Sequence, residues 1–182
     1  MPSRTESKDL LKEYIENESL RQHCEMVAEA MEGYANHLEK SDEERDEWWT
    51  AGLLHDLDWE KFPDIHPKKA VEEILPSHGY SASVIAAVKA HAPERTGKEP
   101  ETEIERYLFA CDELSGFMNA VSLMRPNGFS DMKVKSVKKK LKDKRFAANV
   151  PRDDIQKGAD LIGKELSEHI QFLIGVFKES TR

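Results

Sequence analysis

No stretch of this 182-residue chain alternates apolar and polar residues with a period of two, whereas apolar residues recur at three- and four-residue intervals over most of its length. That pattern leaves helices packed on helices as the way to bury a core. Within it, one stretch stands out. Ser41-Asp42-Glu43-Glu44 reads as a helix N-cap followed by an acidic first turn, and the helix it opens ends in the apolar run Ala51-Gly52-Leu53-Leu54. That run leads directly into His55-Asp56, so the polar pair is expected at the inner end of a buried helix. Burying an ionised Asp there is expensive unless a cation or hydrogen bonds compensate it.

The remaining helices follow the same reasoning. Leu10, Leu11, Tyr14 and Ile15 mark a short amphipathic segment, and Leu20, His23, Val27, Ala30, Met31 and Tyr34 share one face of a helix over about residues 19–38. Pro63 and Pro67 make residues 58–67 a loop leading to a helix over about 68–75, which Pro76-Ser77-His78-Gly79 breaks. Ser81 caps a helix that reaches His91, with Pro93 and Gly97 beyond it. A long helix is expected from about 101 to 124, placing Ile104, Leu108, Cys111, Leu114 and Met118 inward with Asp112 among them, and Arg125-Pro126-Asn127-Gly128 forms a turn. A final helix is expected from Pro151 through Ile162, Leu166, Ile170 and Leu173 to Phe177. With no repeat or low-complexity linker, the expectation is one all-α domain over residues 1–182 with about seven to nine helices: a bundle core at about 20–120 and a C-terminal helical extension at about 130–180.

Charge and cysteine usage narrow the function classes. Lys and Arg number 27 against 35 Asp and Glu, for a formal net charge of -8, which argues against general nucleic-acid binding. Cys24 and Cys111 form no CxxC pair and no disulfide framework, the N-terminal residues are polar, and no apolar run approaches the roughly 20 residues of a membrane span. A cytoplasmic chain without a membrane role is the expectation.

Six residues fall on apolar helical faces or at helix ends: His23, His55, Asp56, His66, His91 and Asp112. A helical bundle builds a metal centre in its core from such residues on several helices. His23, His55, Asp56 and Asp112 would complete one site with positions left for water. His66 and His91 would add a second, with Asp56 as the natural bridge because a carboxylate has two oxygens to share. His37, His78 and His169 are read as exposed or packing residues, since they sit at a polar helix end, in a helix break and late in the last helix.

The order His…His-Asp…Asp on successive helices, here His23, His55-Asp56 and Asp112, resembles the HD-domain superfamily of metal-dependent phosphohydrolases. Ala51-Gly52-Leu53-Leu54-His55-Asp56 and Leu108-Phe109-Ala110-Cys111-Asp112-Glu113 are similar to that family's surroundings, and His66 and His91 look like the extra histidines of its dinuclear branches. The resemblance implies one or two divalent transition metals (Fe, Mn, Ni, Co or Zn) and hydrolysis, by metal-activated hydroxide, of a phosphate ester or anhydride in a nucleotide or another small phosphorylated metabolite. Several branches place a Glu four residues after the motif His; here that position is Trp59, so the resemblance leaves Asp58 and Glu60 beside Asp56 as the catalytic acids. Two further classes stay open: a dinuclear-iron oxygenase of the same superfamily, and a regulatory module that binds metal or nucleotide without turnover.

For phosphate binding, Arg95 follows His91 closely, and a guanidinium matches phosphate oxygens in pairs. Residues 133–145 carry eight basic residues in thirteen positions. Most form a solvated helix face around Val134, Val137 and Leu141, with Lys133 and Lys135 as the candidates to reach a site mouth.

Overall fold

In a computed structural model, which describes residues 1–180, the chain forms ten α-helices and one π-helical turn, with no strand among the described residues. Helix α1 (Arg4–Tyr14) opens on a capping box in which the Ser3 hydroxyl accepts from the Glu6 N–H and the Glu6 carboxylate accepts from the Ser3 N–H. Asn17 caps α2 (Glu18–His37), accepting from the Leu20 N–H at 3.1 Å. The Ser41 signal opens α3 (Asp42–Leu54) with a second capping box to Glu44. After α3 the chain turns tightly through residues 55–67, becomes helical at Lys68 and passes through the π-helical turn Ala70–Ile74, which runs into the short α4 (Leu75–Ser77).

Ser81 caps α5 (Ala82–Ala90), which ends at His91, and Pro93 begins the single turn α6 (Pro93–Thr96). Helix α7 (Glu103–Leu123) starts where the buried Glu105 carboxylate accepts from the Glu101 and Thr102 N–H groups at 2.8 and 3.1 Å. The C-terminal helices are α8 (Val134–Leu141), α9 (Arg152–Leu161) and α10 (Leu166–Ser180).

Two sequence expectations change here. The final helix is two helices, because Gly163 adopts a left-handed φ of 66° just after α9 and turns the chain into α10. The helix total exceeds nine only through the short α4 and α6, of three and four residues.

Helices α2, α3, α5 and α7 pack on one another and enclose the core, where Tyr34, Leu53, Leu54, Leu57, Leu108, Leu114 and Phe117 lose nearly all contact with solvent. The α2–α3 seam is set by Gly52. A Cβ there would lie 2.7 Å from Ala28 Cα and 2.8 Å from Ala28 N and Val27 O, so only glycine allows the backbones this close. Helices α9 and α10 complete the other side. Gly158 meets the backbone of Ala110 in the same way, and His169 is fully buried, donating from Nε2–H to Ala110 O at 2.9 Å and accepting at Nδ1 from the Tyr34 O–H at 2.7 Å. Burial pulls this imidazole down to about 4, so it stays neutral. His37 and His78 are exposed, and both cysteines are buried free thiols. No helix of the described residues is long and apolar enough to cross a membrane.

Candidate metal centre

The close α2–α3 seam brings His23 of α2 against His55, the C-cap of α3, with their Nε2 atoms 3.2 Å apart. Asp112, halfway along α7, completes this group: its Oδ1 lies 3.0 Å from His23 Nε2 and 3.4 Å from His55 Nε2. A second group lies beside the first. His66, from the turn after α3, and His91, the C-cap of α5, bring their Nε2 atoms to 3.2 Å, and Asp56 Oδ1 stands 3.4 and 3.7 Å from them. The other oxygen of Asp56, Oδ2, faces the first group, 3.4 Å from His55 Nε2 and 3.9 Å from His23 Nε2. All six candidates from the sequence therefore meet in one place, three plus three, with Asp56 between the halves.

Ring orientation follows from the groups behind the rings. A carbonyl or carboxylate oxygen only accepts, so the ring nitrogen facing it carries the hydrogen. His55 Nδ1–H donates to Gly52 O at 2.8 Å and His91 Nδ1–H to Val88 O at 2.6 Å, each to a carbonyl three residues back on its own helix. His66 Nδ1–H donates to Asp58 Oδ1 at 2.7 Å. Three imidazoles thus aim Nε2 inward.

This donor set fits divalent metals. Two donors each about 2.1 Å from one cation stand roughly 3.0 Å apart at an octahedral angle and 3.4 Å at a tetrahedral one, the range in which the inward nitrogens and oxygens sit except for Asp56 to His91 and His23, at 3.7 and 3.9 Å. Charge points the same way. Burial disfavours the charged form of His55, but Asp56 and Asp112 outweigh it and hold its pKa well above the ordinary value; desolvation likewise disfavours the two partly exposed carboxylates, yet His55 holds them well below theirs. The cluster is therefore short of positive charge, which a bound cation would supply. Glu113, beside Asp112 and half-buried, is pushed up to about 8 by burial and by the charges of Asp112, Asp154 and Asp56, a symptom of the same shortage of positive charge.

The centre forms the floor of a cavity of about 380 Å³. Its walls include Trp59, Arg95, Phe109, Glu94 and Glu113, and residues Asn149, Val150 and Asp154 close it from the C-terminal part of the chain. Arg95 is at this mouth, its guanidinium 5.0 Å above the Trp59 ring and donating to Pro63 O at 2.9 Å.

Other sequence candidates are placed elsewhere. Asp58 has no accessible surface, and its second oxygen accepts from the Ala70 N–H at 2.8 Å, so both oxygens face protein and neither reaches the cavity. Glu60 turns away to α2, where its oxygens accept from the Glu16 and Asn17 N–H groups at 3.2 and 3.0 Å; its charge suits a helix N-terminus. Lys133 and Lys135 do not line the cavity: they flank the start of α8 and are exposed. Sequence reasoning passed over Trp59, Phe109, Glu113 and the segment 149–154. Glu113 could have been found from its place beside Asp112; nothing in the sequence marks Asn149 or Asp154.

An all-helical core that gathers four histidines and two aspartates from α2, α3, α5, α7 and the turn after α3 defines a helical protein built around a candidate metal centre. A family profile described as the HD domain matches residues 20–116, more than half of the chain, and the chain belongs to that family, whose members are generally metal-dependent hydrolases. No curated protein and no solved structure matches it.

Proposed function

We propose that this chain is a metal-dependent phosphohydrolase that cleaves the phosphate monoester of a small metabolite, nucleoside monophosphates included. The observation that carries the reading is Asp56, whose two oxygens each face a different pair of inward histidine nitrogens. His23, His55 and Asp112 would hold one cation and His66 and His91 the other, with Asp56 shared. Divalent metals of the Fe, Mn, Ni, Co or Zn type suit imidazole and carboxylate, and bound there they supply the charge that draws in a phosphate and acidifies an attacking water. The chain's other residues position the substrate. Arg95 stands at the rim with donors for phosphate oxygens, and Trp59, Phe109 and Val150 give the leaving group an apolar wall that excludes water.

The lining argues for one phosphate rather than an anhydride chain. Arg95 is the one Lys or Arg side chain among the residues that line the cavity, whereas Glu94 and Asp154 place further carboxylates around the mouth. A di- or triphosphate would bring further anionic groups with no cation to meet them. On this reading the C-terminal helices belong to the same folding unit as the HD segment, because Asn149, Val150 and Asp154 close the cavity.

The test is metal analysis of protein purified without chelator, followed by phosphate release from a panel of monoesters, diphosphates and triphosphates. Monoesters are expected to be hydrolysed fastest. Metal-loaded protein that releases phosphate from none of the panel refutes the reading, and nucleotide binding without turnover would instead mark a regulatory module. The bridging position of Asp56 favours one other reading, a dinuclear-iron oxygenase; about two irons per chain with oxygen consumption would select it.

A further inference from the structure

We infer that Asp58 is a positioning residue: it sets the tautomer of His66 and so builds the second half of the metal centre before any cation arrives. The inference rests on the reading of His66 as a metal ligand. Three of the inward rings are steered from behind, but not by the same means. His55 and His91 end helices, and each finds a carbonyl of its own last turn beneath Nδ1, so helix geometry alone supplies the acceptor. His66 lies in the turn between α3 and the π-helical turn, where no helix end stands behind it. The carboxylate of Asp58, eight residues earlier, takes that place at 2.7 Å.

The surroundings make this more than a passing contact. Asp58 is fully buried, and its two oxygens are committed to two different donors, His66 Nδ1–H and the Ala70 N–H. Ala70 begins the π-helical turn, so its N–H is among the helix-start donors that need an outside acceptor. One side chain therefore ties both ends of the 66–70 connection. With the hydrogen held on Nδ1, His66 Nε2 is bare and faces Asp56 Oδ1 and His91 Nε2. A carboxylate behind a ligating imidazole also raises its basicity, which a backbone carbonyl does less well.

Asp58→Asn separates this role from simple capping of the turn. The amide keeps one acceptor oxygen, which can stay on the Ala70 N–H, but presents its NH₂ group to His66 Nδ1. That ring nitrogen must then accept, and the hydrogen moves to Nε2. Nitrogen-15 NMR of the side chains in chelator-stripped protein reads the tautomer, and cobalt(II) titration followed by visible absorption reads metal uptake. We expect the Nδ1–H form of His66 in the unaltered chain and the Nε2–H form in Asp58→Asn, with affinity for the second cobalt lowered roughly 10- to 100-fold and the first unchanged.

Two results overturn the inference: an Nε2–H tautomer of His66 in the unaltered chain, which needs no variant to fold, or an Asp58→Asn protein that binds the second cobalt within about threefold of normal. Failure of the underlying metal reading looks different. It would show as the Nδ1–H tautomer in a chain that takes up no cobalt, and would remove this inference with it.

Discussion

Gly52→Ala should loosen the seam that brings His23 and His55 together, and the structure gives the size of the effect. The added Cβ would stand 2.7–2.8 Å from Ala28 Cα, Ala28 N and Val27 O, all backbone atoms that cannot rotate aside. Carbon contacts settle at about 3.5–4.0 Å, so α2 and α3 must part by roughly 0.8 Å or more. Overpacking of this kind costs about 1–3 kcal/mol, and with rigid neighbours the upper figure applies. Alanine returns about 1 kcal/mol of helix propensity. The net loss is about 2 kcal/mol, which for a chain of this length lowers Tm by about 4–8 °C.

Gly175→Ala in α10 is the matched control, since a Cβ there meets nothing within 4 Å; the same exchange should raise Tm by about 1–4 °C. Thermal melts of both variants with and without added cobalt(II) test the argument. The metal-dependent rise in Tm should shrink for Gly52→Ala alone, because the His23 and His55 nitrogens now 3.2 Å apart would be spread. A Gly52→Ala protein melting at or above the unaltered chain refutes the reasoning.

Changing His66 and His91 together to Ala should remove about one metal per chain and leave the His23, His55 and Asp112 half loaded, with a large loss of turnover; unchanged metal content by elemental analysis would contradict two sites. Glu60→Ala should lower Tm slightly, because α2 loses an acceptor at its N-terminus, while metal content and phosphate release stay as they were. His169 makes stability pH-dependent in a defined direction. Its folded pKa of about 4 lies below the ordinary 6.5, so above pH 6.5 both states are neutral and nothing changes. As pH falls from 6.5 towards 4 the unfolded chain gains a proton that the folded one refuses, and about 3 kcal/mol is lost, with no further loss below. Urea unfolding at pH 7 and pH 4.5 should show this slope reduced in His169→Gln; equal slopes would count against the assignment.

The residues of the centre were legible from the helical pattern: His55-Asp56 closes the run Ala51–Leu54, His91 closes Val84–Ala90, and His23 and Asp112 fall among the apolar positions of α2 and α7. Roles beyond the six were less legible, for physical reasons. Asp58 and Glu60 are the nearest acids in sequence, but the tight turn after α3 sends them to different places, leaving Trp59 on the cavity wall. Charge density at Lys133 and Lys135 marks a solvated face and says nothing of direction. The break between α9 and α10 was present in the sequence as Gly163, but the apolar spacing from Ile155 to Phe177 continues across it and conceals the turn. Asn149 and Asp154 reach the cavity through tertiary packing alone, which no local pattern records.

The cavity is closed by a segment of chain that takes no part in its floor. The floor comes from residues 23–112, inside the HD segment, whereas Asn149, Val150 and Asp154 arrive from beyond it, held in place by the Gly158 and His169 contacts to Ala110. On the proposed reading the metal ligands and one part of the wall that meets the substrate therefore come from separate parts of the polypeptide. Exchange of residues 149–154 would then reshape that part of the wall while the six ligands stay in register, so selection can retune it without touching the metal centre.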